Sequence, residues 1–319
     1  MDSTPIVVIA GQVGASLLGS DAFQECDLVG VTQPISKWAY QIRRPEDVAW
    51  AVSRAFYIAK SGRPGPVVLD FAKNAQVGLV DYEPQGTDFI RSYVPVPKTD
   101  PWAIRQAAAL INNAKRPFIL VGQGVELGGA QEEVRQLIER ADIPAGCTLL
   151  GLSALPSDHP LNMGMLANSI KTQECDVLIA VGMRFDDRIT GKLSTYARQA
   201  KKIHFEIDPS EVNKNVPVDV AVLGNCKQTL AQVLEQVKPN RHTEWIDSFG
   251  EHHEREKEAV IEPEIHPADG PIKMGEVVRK VTEMTGNKAV LVTDVGQNQM
   301  MAARYFKFSE QRSIVTSGG

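Results

Sequence analysis

Residues 177–188 read Val177-Leu-Ile-Ala-Val181 followed at once by Gly182-Met-Arg-Phe-Asp-Asp-Arg188, and this stretch decides the fold class. Five consecutive apolar residues predict a strand that is buried on both faces, as in a parallel sheet. Four charged residues come soon after it, where open α/β sheets bind their ligands. Arginines at this place can hold phosphate or carboxylate groups, and neighbouring aspartates can orient them. A local salt-bridge network is the alternative.

Strand and helix patterns alternate on both sides of this stretch, which is typical of an α/β fold with parallel sheets. Apolar runs predict further strands at 6–10, 28–32, 67–71, 118–121, 203–207, 220–223, 289–293 and 313–316. Periodicity and capping residues predict helices at 45–59, 101–114, 130–141, 226–237, 274–284 and 297–306, and a helical stretch between 14 and 26. The strand at 6–10 is predicted to be buried on both faces.

The composition is that of an ordinary globular protein. The 319 residues (34.9 kDa) predict about two domains, with 43% hydrophobic residues and a mean hydropathy of −0.17. The net charge of −5 argues against a dedicated nucleic-acid or membrane-surface binder, and no apolar run is long enough to span a bilayer. Four cysteines without a CxxC pair predict buried thiols in a reducing cytoplasm, and no signal peptide is predicted.

A glycine-rich loop at 122–129 follows one predicted strand and opens a helix. Its glycines let backbone N–H groups approach a phosphate, but the spacing departs from GxGxxG, and a tight structural turn is an equal alternative. Glu206 and Asp208, at a later strand end, are better placed than Asp142 to bind a ribose. The segment Asp294-Val-Gly-Gln-Asn298 is a second candidate phosphate-facing turn, although the signal is weak by itself.

The histidines do not predict a metal centre. Adjacent His252 and His253 point apart on a helix and lie among glutamates of a solvated stretch at 240–270. His204 is interpreted as a strand histidine with satisfied hydrogen bonds. Because no Ser-His-Asp, HExxH or P-loop pattern appears, the residues alone do not select one reaction.

Taken together, seven segments resemble the large subunit of acetolactate synthase (acetohydroxyacid synthase), a thiamine-diphosphate enzyme family. They occur in the family's order and are Pro5–Val13, Ser20–Glu25, Ser61–Pro66, Thr148–Leu152, Gly182–Arg188, His204–Asp208 and Val295–Met300. The resemblance implies condensation of pyruvate with pyruvate or 2-ketobutyrate, with decarboxylation, in isoleucine and valine biosynthesis. It also implies thiamine diphosphate with Mg²⁺, an FAD without a net redox role, and an active site between subunits.

The resemblance further implies which residues contact each ligand. The catalytic residues, lining the substrate channel, would be Gln12, Phe23, Lys73, Asp187 and Arg188. The FAD contacts would be Arg63, Gly122, Thr148, Leu149, Gly182, Met183, Arg184, Phe185, Asp186, Glu206, Ile207, Asn225 and Cys226. Thiamine diphosphate would contact Val295, Gly296, Gln297 and Asn298. No metal ligand is predicted within the chain.

The implied fold consists of three-layer α/β domains with parallel sheets. Residues 1–78 would be the C-terminal part of a pyrimidine-binding domain, and 79–100 a linker. Residues 101–239 would form a complete central FAD- or nucleotide-binding domain, 240–270 a second linker, and 271–319 the N-terminal part of a diphosphate-binding domain. The implied assembly is a cytoplasmic homodimer or tetramer with a regulatory small subunit, and without nucleic acid or membrane partners.

Several departures from the family pattern shape these expectations. The family's activating glutamate is expected upstream of residue 1 and its magnesium motif downstream of residue 319, so this chain alone is expected to be inactive. A shorter join, Ala167-Asn168-Ser169, replaces a Gly-Met-His-Gly segment, while Glu206 and Asn225 replace aspartates and Asn298 replaces a histidine. These changes leave FAD retention open. Alternatives are a glyoxylate carboligase or pyruvate oxidase type of enzyme, and a non-catalytic nucleotide-binding module.

Overall fold

The computed structural model describes residues 2–165 and 171–316. Their contacts divide the chain into two compact units, Met1–Val96 and Pro97–Gly319. Parallel sheets with packed helices occur in both units, so the predicted α/β class is confirmed. The join at Ala167–Ser169 lies outside the described residues. None of the helices within the described ranges has the length and apolar character needed to cross a membrane.

Three parallel strands form the sheet of the first unit. They are β1 (Val7–Gln12), β2 (Trp38–Ile42) and β3 (Val67–Ala72), in the order β1-β3-β2. The middle strand, β3, is almost wholly buried. The helix Val48–Lys60 covers the sheet with a stripe that includes Ala51, Ala55 and Ala59, whose small side chains allow a close approach. It follows the 3₁₀ turn Pro45–Asp47 and confirms the predicted helix.

The outer strand β1 is not buried on both faces, so that prediction is wrong. In the described part of the chain β1 has one neighbouring strand, β3, and Ile9 exposes 62% of its surface. The helical stretch expected up to residue 26 is also wrong, because it contains only the 3₁₀ turn Ala15–Leu17. Cys26 is exposed, unlike the other three cysteines, which are buried as predicted.

The predicted strand at 28–32 is instead a helix, Leu28–Thr32. Asp27 Oδ1 accepts a hydrogen bond of 3.0 Å from the Gly30 backbone N–H, which caps the helix start. A Cβ at position 30 would collide with this carboxylate, so glycine permits the cap. The strand β2 has no counterpart among the predicted strands. A short helix, Lys73–Val77, follows β3, and residues 78–100 contain no helix or strand.

The second unit is built on a five-stranded parallel sheet. Its strands are β4 (Pro117–Val121), β5 (Ala145–Cys147), β6 (Val177–Val181), β7 (Lys201–Glu206) and β8 (Val220–Leu223). Their order is β5-β4-β6-β7-β8. Every residue of β4 and β6 is buried, which confirms the interpretation of the apolar run at 177–181. Alternate side chains of these strands enter two separate apolar cores, one on each face.

Helices cover both faces of this sheet. Pro101–Asn113, Gln131–Ala141 and Cys226–Leu234 contribute to the core on one face, and all three confirm predicted helices. Trp245 and Phe249 contribute to the other core, although they belong to the stretch that was predicted to be solvated. Among the described residues, the remaining α-helices of this region are Gln123–Gly128, Asp187–Thr190, Thr243–Asp247, Gly250–Glu256 and Glu262–Ile265. A π-helical turn lies at Lys257–Ile261, and 3₁₀ helices lie at Leu149–Ala154 and Pro209–Glu211.

A smaller parallel sheet completes the second unit. It pairs β9 (Leu291–Thr293) with β10 (Ile314–Thr316), next to the helices Met274–Thr285 and Gln297–Tyr305. All four elements were predicted, with shifted ends. Ala303, Phe306 and Phe308 join the core that also covers one face of the five-stranded sheet. The two sheets therefore belong to one packed unit.

Candidate cofactor-binding site

All five strands of the large sheet end at the same edge because they are parallel. The chain passes from β4 to β5 on one side and from β6 to β7 on the other, so a crevice is expected between the adjacent strands β4 and β6. The predicted FAD contacts of this unit follow these strand ends. They are Gly122 after β4, Thr148 and Leu149 after β5, Gly182–Asp186 after β6, Glu206 and Ile207 at the end of β7, and Asn225 and Cys226 after β8.

The glycines of this edge serve the contact between two turns. Gly124 N–H donates to the Gly182 carbonyl oxygen at 2.9 Å, and a Cβ on Gly124 would lie 2.6 Å from the Gly182 Cα. A Cβ on Gly122 would collide with the same carbonyl group. Gly182 has a φ of +59°, which favours glycine. The glycine-rich segment is a short helix, Gln123–Gly128, rather than the predicted loop, and its glycines favour the alternative of a tight structural turn.

The charged run after β6 is largely paired with itself. Arg184 Nη2 lies 3.3 Å from Asp186 Oδ2, and Asp186 Oδ1 accepts from the backbone N–H groups of Arg188 and Ile189. The side chains of Asp187 and Arg188 extend into solvent, the arginine with 89% of its side chain exposed. Local pairing therefore accounts for Arg184, while Asp187 and Arg188 stay accessible to a ligand.

Glu206 is buried, and one of its two carboxylate oxygens already accepts two backbone hydrogen bonds. Its Oε1 accepts from the N–H groups of Ile207 and Asp208 at 2.9 and 3.1 Å, and its Oε2 lies 3.5 Å from His204 Nε2. His204 Nε2 donates to the Met183 carbonyl oxygen at 2.7 Å, because a carbonyl oxygen can only accept. Within the described residues Nδ1 has no hydrogen-bond partner. The prediction of a fully satisfied histidine is therefore wrong for this atom.

The turn after β8 is held to the glycine turn by Cys226. Its Sγ donates to the Gly124 carbonyl oxygen at 3.2 Å, and burial raises the pKa of the thiol to about 12. Asn225 Oδ1 accepts from the Lys227 N–H and caps the helix Cys226–Leu234. The thiol is therefore protonated at neutral pH and acts as a structural donor.

The edge fits a nucleotide by its position and only partly by its hydrogen-bonding groups. A crevice at the carboxyl ends of parallel strands is where such ligands bind. Glu206 and Asn225, however, each direct an oxygen to backbone N–H groups of their own chain. The fit to FAD therefore rests on Gly182–Asp186 and on Thr148 and Leu149.

The first unit brings two predicted catalytic residues together. β1 ends at Gln12, which is paired with Ala72 of β3, and Lys73 follows Ala72 as the first residue of the helix Lys73–Val77. Gln12 Nε2 donates to the Cys26 carbonyl oxygen at 2.7 Å and to Asp70 Oδ2 at 3.2 Å, so both amide hydrogens are used. Lys73 is exposed.

Two further predicted residues of this unit have different surroundings. Phe23 is 89% exposed. Arg63, predicted with the FAD contacts, donates from Nε to Ser3 Oγ at 3.1 Å. Arg63 belongs to the first unit, whereas the other predicted FAD contacts belong to the second.

The predicted thiamine diphosphate contacts form an open turn. The turn Val295–Asn298 lies after β9 and includes the first two residues of the nine-residue helix Gln297–Tyr305. All four residues of the turn are exposed. Gly296, the N-cap, has a φ of +132° and no side chain caps the helix start. A Cβ on Gly296 would find its nearest neighbour, Asn298 Oδ1, at an ordinary 3.5 Å. A helix start of this kind fits a diphosphate, because its backbone N–H groups point toward the turn.

Two buried carboxylates were missed by sequence reasoning. Asp70 Oδ2 accepts from Gln12 and from Gln41, while Asp70 Oδ1 is buried without a partner among the described residues. Glu126 lies in the glycine-rich segment and accepts from Ser153 and Gln131. For Glu126, the only signal in the sequence was the position of an acidic residue among glycines. No group of three or more potential metal ligands is present in the ranges that the structure describes.

Comparison with known proteins identifies relatives over the whole chain. Residues 104–233 match the model of the thiamine pyrophosphate enzyme central domain. All of the chain aligns, at 39% identity, with 56% of a probable acetolactate synthase large subunit of Methanocaldococcus jannaschii. It aligns at 35% identity with 57% of the acetolactate synthase large subunit of Buchnera aphidicola, and at 40% with 52% of that of Parasynechococcus marenigrum.

The chain thus spans about half the length of the curated relatives it matches. The matched family model covers the five-stranded sheet and most of the predicted FAD contacts. Alignment extends on both sides of it, through the unit that carries Gln12 and through the turn at Val295–Asn298. Residues 104–233 therefore match the central domain of the thiamine pyrophosphate enzymes, and the chain is similar along its full length to the acetolactate synthase large subunits.

Proposed function

We propose that this chain is part of an acetolactate synthase large subunit, which condenses two 2-keto acids with loss of CO₂ in branched-chain amino-acid biosynthesis. The observation that carries the proposal is similarity along all 319 residues to relatives of that name, beyond the shared central domain. The positions of the candidate residues support it, since Gln12, Lys73 and the turn at Val295–Asn298 all lie at carboxyl ends of parallel strands.

In this proposal the turn at Val295–Asn298 binds the diphosphate of the thiamine cofactor. Bound thiamine diphosphate, with Mg²⁺, supplies the electron sink for decarboxylation. The chain's own contribution is positional: the N-terminal end of the helix Gln297–Tyr305 directs N–H groups and a partial positive charge at the anion. The Mg²⁺ ligands are proposed to come from residues outside this chain.

The 2-keto acid substrates are proposed to contact Gln12, Phe23, Lys73, Asp187 and Arg188. The exposed cations Lys73 and Arg188 suit a keto-acid carboxylate, Arg188 by a bidentate pair. Phe23 offers an exposed apolar surface to the short alkyl group. Gln12 must release one N–H from Cys26 or Asp70 before it can donate to a substrate, since both its amide hydrogens are engaged.

FAD is proposed to bind, without a net redox role, at the edge of the five-stranded sheet. The supporting observations are the strand order, which predicts a crevice between β4 and β6, and the turn Gly182–Asp186, in which Gly182, Arg184 and Asp186 are partly exposed. Because Glu206 and Asn225 already accept backbone hydrogen bonds, we expect Gly182–Asp186, Thr148 and Leu149 to carry most of the binding. The affinity is accordingly expected to be modest.

The domain boundaries given above are proposed to hold in the complete protein. The segment 101–239 would be its central domain, and 1–78 and 271–319 would be parts of its pyrimidine- and diphosphate-binding domains. We further propose a cytoplasmic homodimer or tetramer with a regulatory small subunit. The family relationship supports these proposals.

The test is an assay of the purified 319-residue chain and of any longer product of its coding frame. Pyruvate is supplied with thiamine diphosphate, Mg²⁺ and FAD, acetolactate is measured, and the flavin spectrum is recorded. We expect acetolactate from a longer product and none from the 319-residue chain. Carboligation of glyoxylate, or reduction of the flavin by pyruvate, would replace the proposal with one of the related enzyme types. Bound flavin without any turnover by either product would favour a nucleotide-binding module.

A further inference from the structure

Glu126 is a buried carboxylate whose partners come from three segments of the second unit. It belongs to the helix Gln123–Gly128, and 6% of the residue's surface is exposed. Gln131 Nε2 donates to Oε2 at 2.6 Å, and Ser153 Oγ donates to Oε1 at 2.8 Å. The Arg312 backbone N–H also donates to Oε1, at 3.2 Å, across 186 residues of sequence. Three donors offset part of the cost of burying this charge.

Two further bonds tie the Glu126 backbone and the Ser153 hydroxyl to the start of β10. Arg312 Nη2 donates to the Glu126 carbonyl oxygen at 3.1 Å, and the Ser313 N–H donates to Ser153 Oγ at 3.3 Å. Ser153 thus relays between the carboxylate and the strand, since a hydroxyl both donates and accepts. Arg312 has a φ of +55°, an unfavourable conformation for a residue with a side chain. The bonds to Glu126 hold this residue in that conformation.

Strand β10 connects this cluster to the open turn at Val295–Asn298. It pairs with β9 over three residues, and a parallel pair this short is marginal without outside support. At its far end, Thr316 Oγ1 accepts from Gln299 Nε2 at 2.6 Å and from Thr293 Oγ1 at 2.7 Å. Gln299 belongs to the first turn of the helix that begins after Gly296, and Thr293 is the last residue of β9. Bonds therefore run from Glu126 through β10 to both sides of the turn.

We propose that Glu126 is a positioning residue that fixes β10 and, through it, the turn Val295–Asn298 for binding of a diphosphate. The inference rests on the proposed function for the ligand alone, because the hydrogen-bonded path exists independently of it. Loss of the carboxylate removes the acceptor of the Arg312 N–H and of the Ser153 hydroxyl, while the bond from Arg312 Nη2 to the Glu126 carbonyl oxygen remains. The short β9–β10 pair then opens more often. The N–H groups of the turn lose their common orientation, which weakens anion binding without any change at the turn itself.

The test compares Glu126→Ala, Glu126→Gln and two controls in the full 319-residue chain. Glu132→Ala removes an exposed carboxylate that pairs with Arg135, and Val233→Ala destabilises the core of the same unit away from β10. Hydrogen exchange is measured for peptides covering 290–299 and 311–316, and thiamine diphosphate with Mg²⁺ is titrated by calorimetry. For Glu126→Ala we expect exchange in both peptides to rise at least tenfold, and the dissociation constant about tenfold.

Rescue by the conservative variant separates positioning from general packing. The Glu126→Gln amide oxygen still accepts from Ser153 and Arg312, and Gln131 can turn its own amide oxygen toward the new NH₂ group, so we expect affinity within about threefold of wild type. Exchange that rises no more than in Val233→Ala overturns the proposal. Faster exchange with unchanged affinity also overturns it, because the carboxylate would then be merely structural.

Absence of thiamine diphosphate binding by the wild-type chain would count against the proposed function, and not against the hydrogen-bonded path. In that case exchange across 290–299 decides the positioning role alone. A selective rise in Glu126→Ala that Glu126→Gln reverses supports it. A rise confined to 311–316 overturns it, since the effect would then stop at β10 and not reach the turn.

Discussion

Two glycine turns at the carboxyl ends of parallel strands differ in what fills the space beside the glycine. At the Gly122–Gly182 edge, backbone atoms of the opposite turn occupy the position of a Cβ. At Gly296 the nearest atom is at ordinary contact distance, and the helix start has no side-chain cap. Glycine is required at the first place by packing and at the second by a φ of +132°. Packing therefore explains the glycines at the Gly122–Gly182 edge, whereas the space beside Gly296 stays open to a ligand.

The largest expected effect is on stability at the Gly122–Gly182 edge, which we call the closed edge because backbone atoms fill the space beside its glycines. Gly122→Ala introduces a Cβ that collides with the Gly182 carbonyl group, although the φ of −103° at Gly122 suits alanine. We expect the free energy of unfolding to fall by about 3 kcal/mol, measured by urea denaturation of the second unit. Gly250→Ala, in open space at a helix start, should leave stability equal or slightly higher. Equal effects of the two variants would remove the distinction drawn between the turns.

A smaller loss of stability, with a loss of binding, is expected at the open turn. Gly296→Ala forces alanine into a region that glycine almost alone adopts, at a cost of about 1–3 kcal/mol. Thiamine diphosphate affinity should fall about tenfold by calorimetry, because the turn loses its shape. Gly286→Ala is the matched control, since Gly286 has a φ of +58° in open space at a helix end. An equal loss of affinity in the control would show that backbone strain alone explains the result.

The burial of three cysteines predicts how fast each thiol reacts with a reagent. Burial raises the pKa of Cys147, Cys175 and Cys226 to about 12, whereas Cys26 is exposed. A thiol reagent at pH 8 should therefore label Cys26 rapidly and the other three only at the rate of unfolding. Rapid labelling of Cys226 in the native protein would show that the edge opens.

The same thiols make stability depend on pH in one direction. Their folded pKa is raised above the unfolded value near 9, so the stability they contribute is complete below pH 9. It is lost as the pH rises from about 9 toward 12, because the unfolded thiols ionise first. Cys226→Ser, which keeps a donor toward Gly124, should show a shallower loss in this range. An unchanged slope would contradict the assignment.

The smallest effect is expected for the charged run beside the closed edge. Arg188→Ala removes a side chain that is 89% exposed and lies 3.6 Å from an exposed Asp187. The free energy of unfolding should change by less than about 0.5 kcal/mol. Pyruvate KM in an active longer product should rise, since the proposed carboxylate contact is lost. A large change in stability with unchanged KM would assign Arg188 to the fold and not to the ligand.

Local patterns predicted the fold where a single segment carries the information. The apolar runs of β4 and β6, and the helix whose N-terminal Trp102 N–H is capped by Asp100, occur as expected. The error at 28–32 arose because a β-branched run was weighed without the cap that Asp27 forms with Gly30. Strand β5 was missed since three small residues, Ala145–Cys147, show no periodicity of their own.

The candidate site was less predictable than the fold because its chemistry depends on distant partners. The family resemblance placed the FAD candidates at strand ends. It could not indicate that Glu206 Oε1 already accepts backbone hydrogen bonds, or that both amide hydrogens of Gln12 are used. The bond between Glu126 and Arg312 joins residues that no local pattern relates. Such contacts follow from the packing of completed elements, which a linear pattern does not contain.

The strand order of the large sheet also bears on synthesis at the ribosome. β4 is translated before both of its neighbours, and about 60 residues separate its end from the end of β6. At roughly 5–20 residues per second, this apolar strand waits about 3–12 s for its second partner. During that interval Phe118 and Leu120 are exposed to other nascent chains, so a chaperone that shields the emerging strand would raise the yield of folded protein.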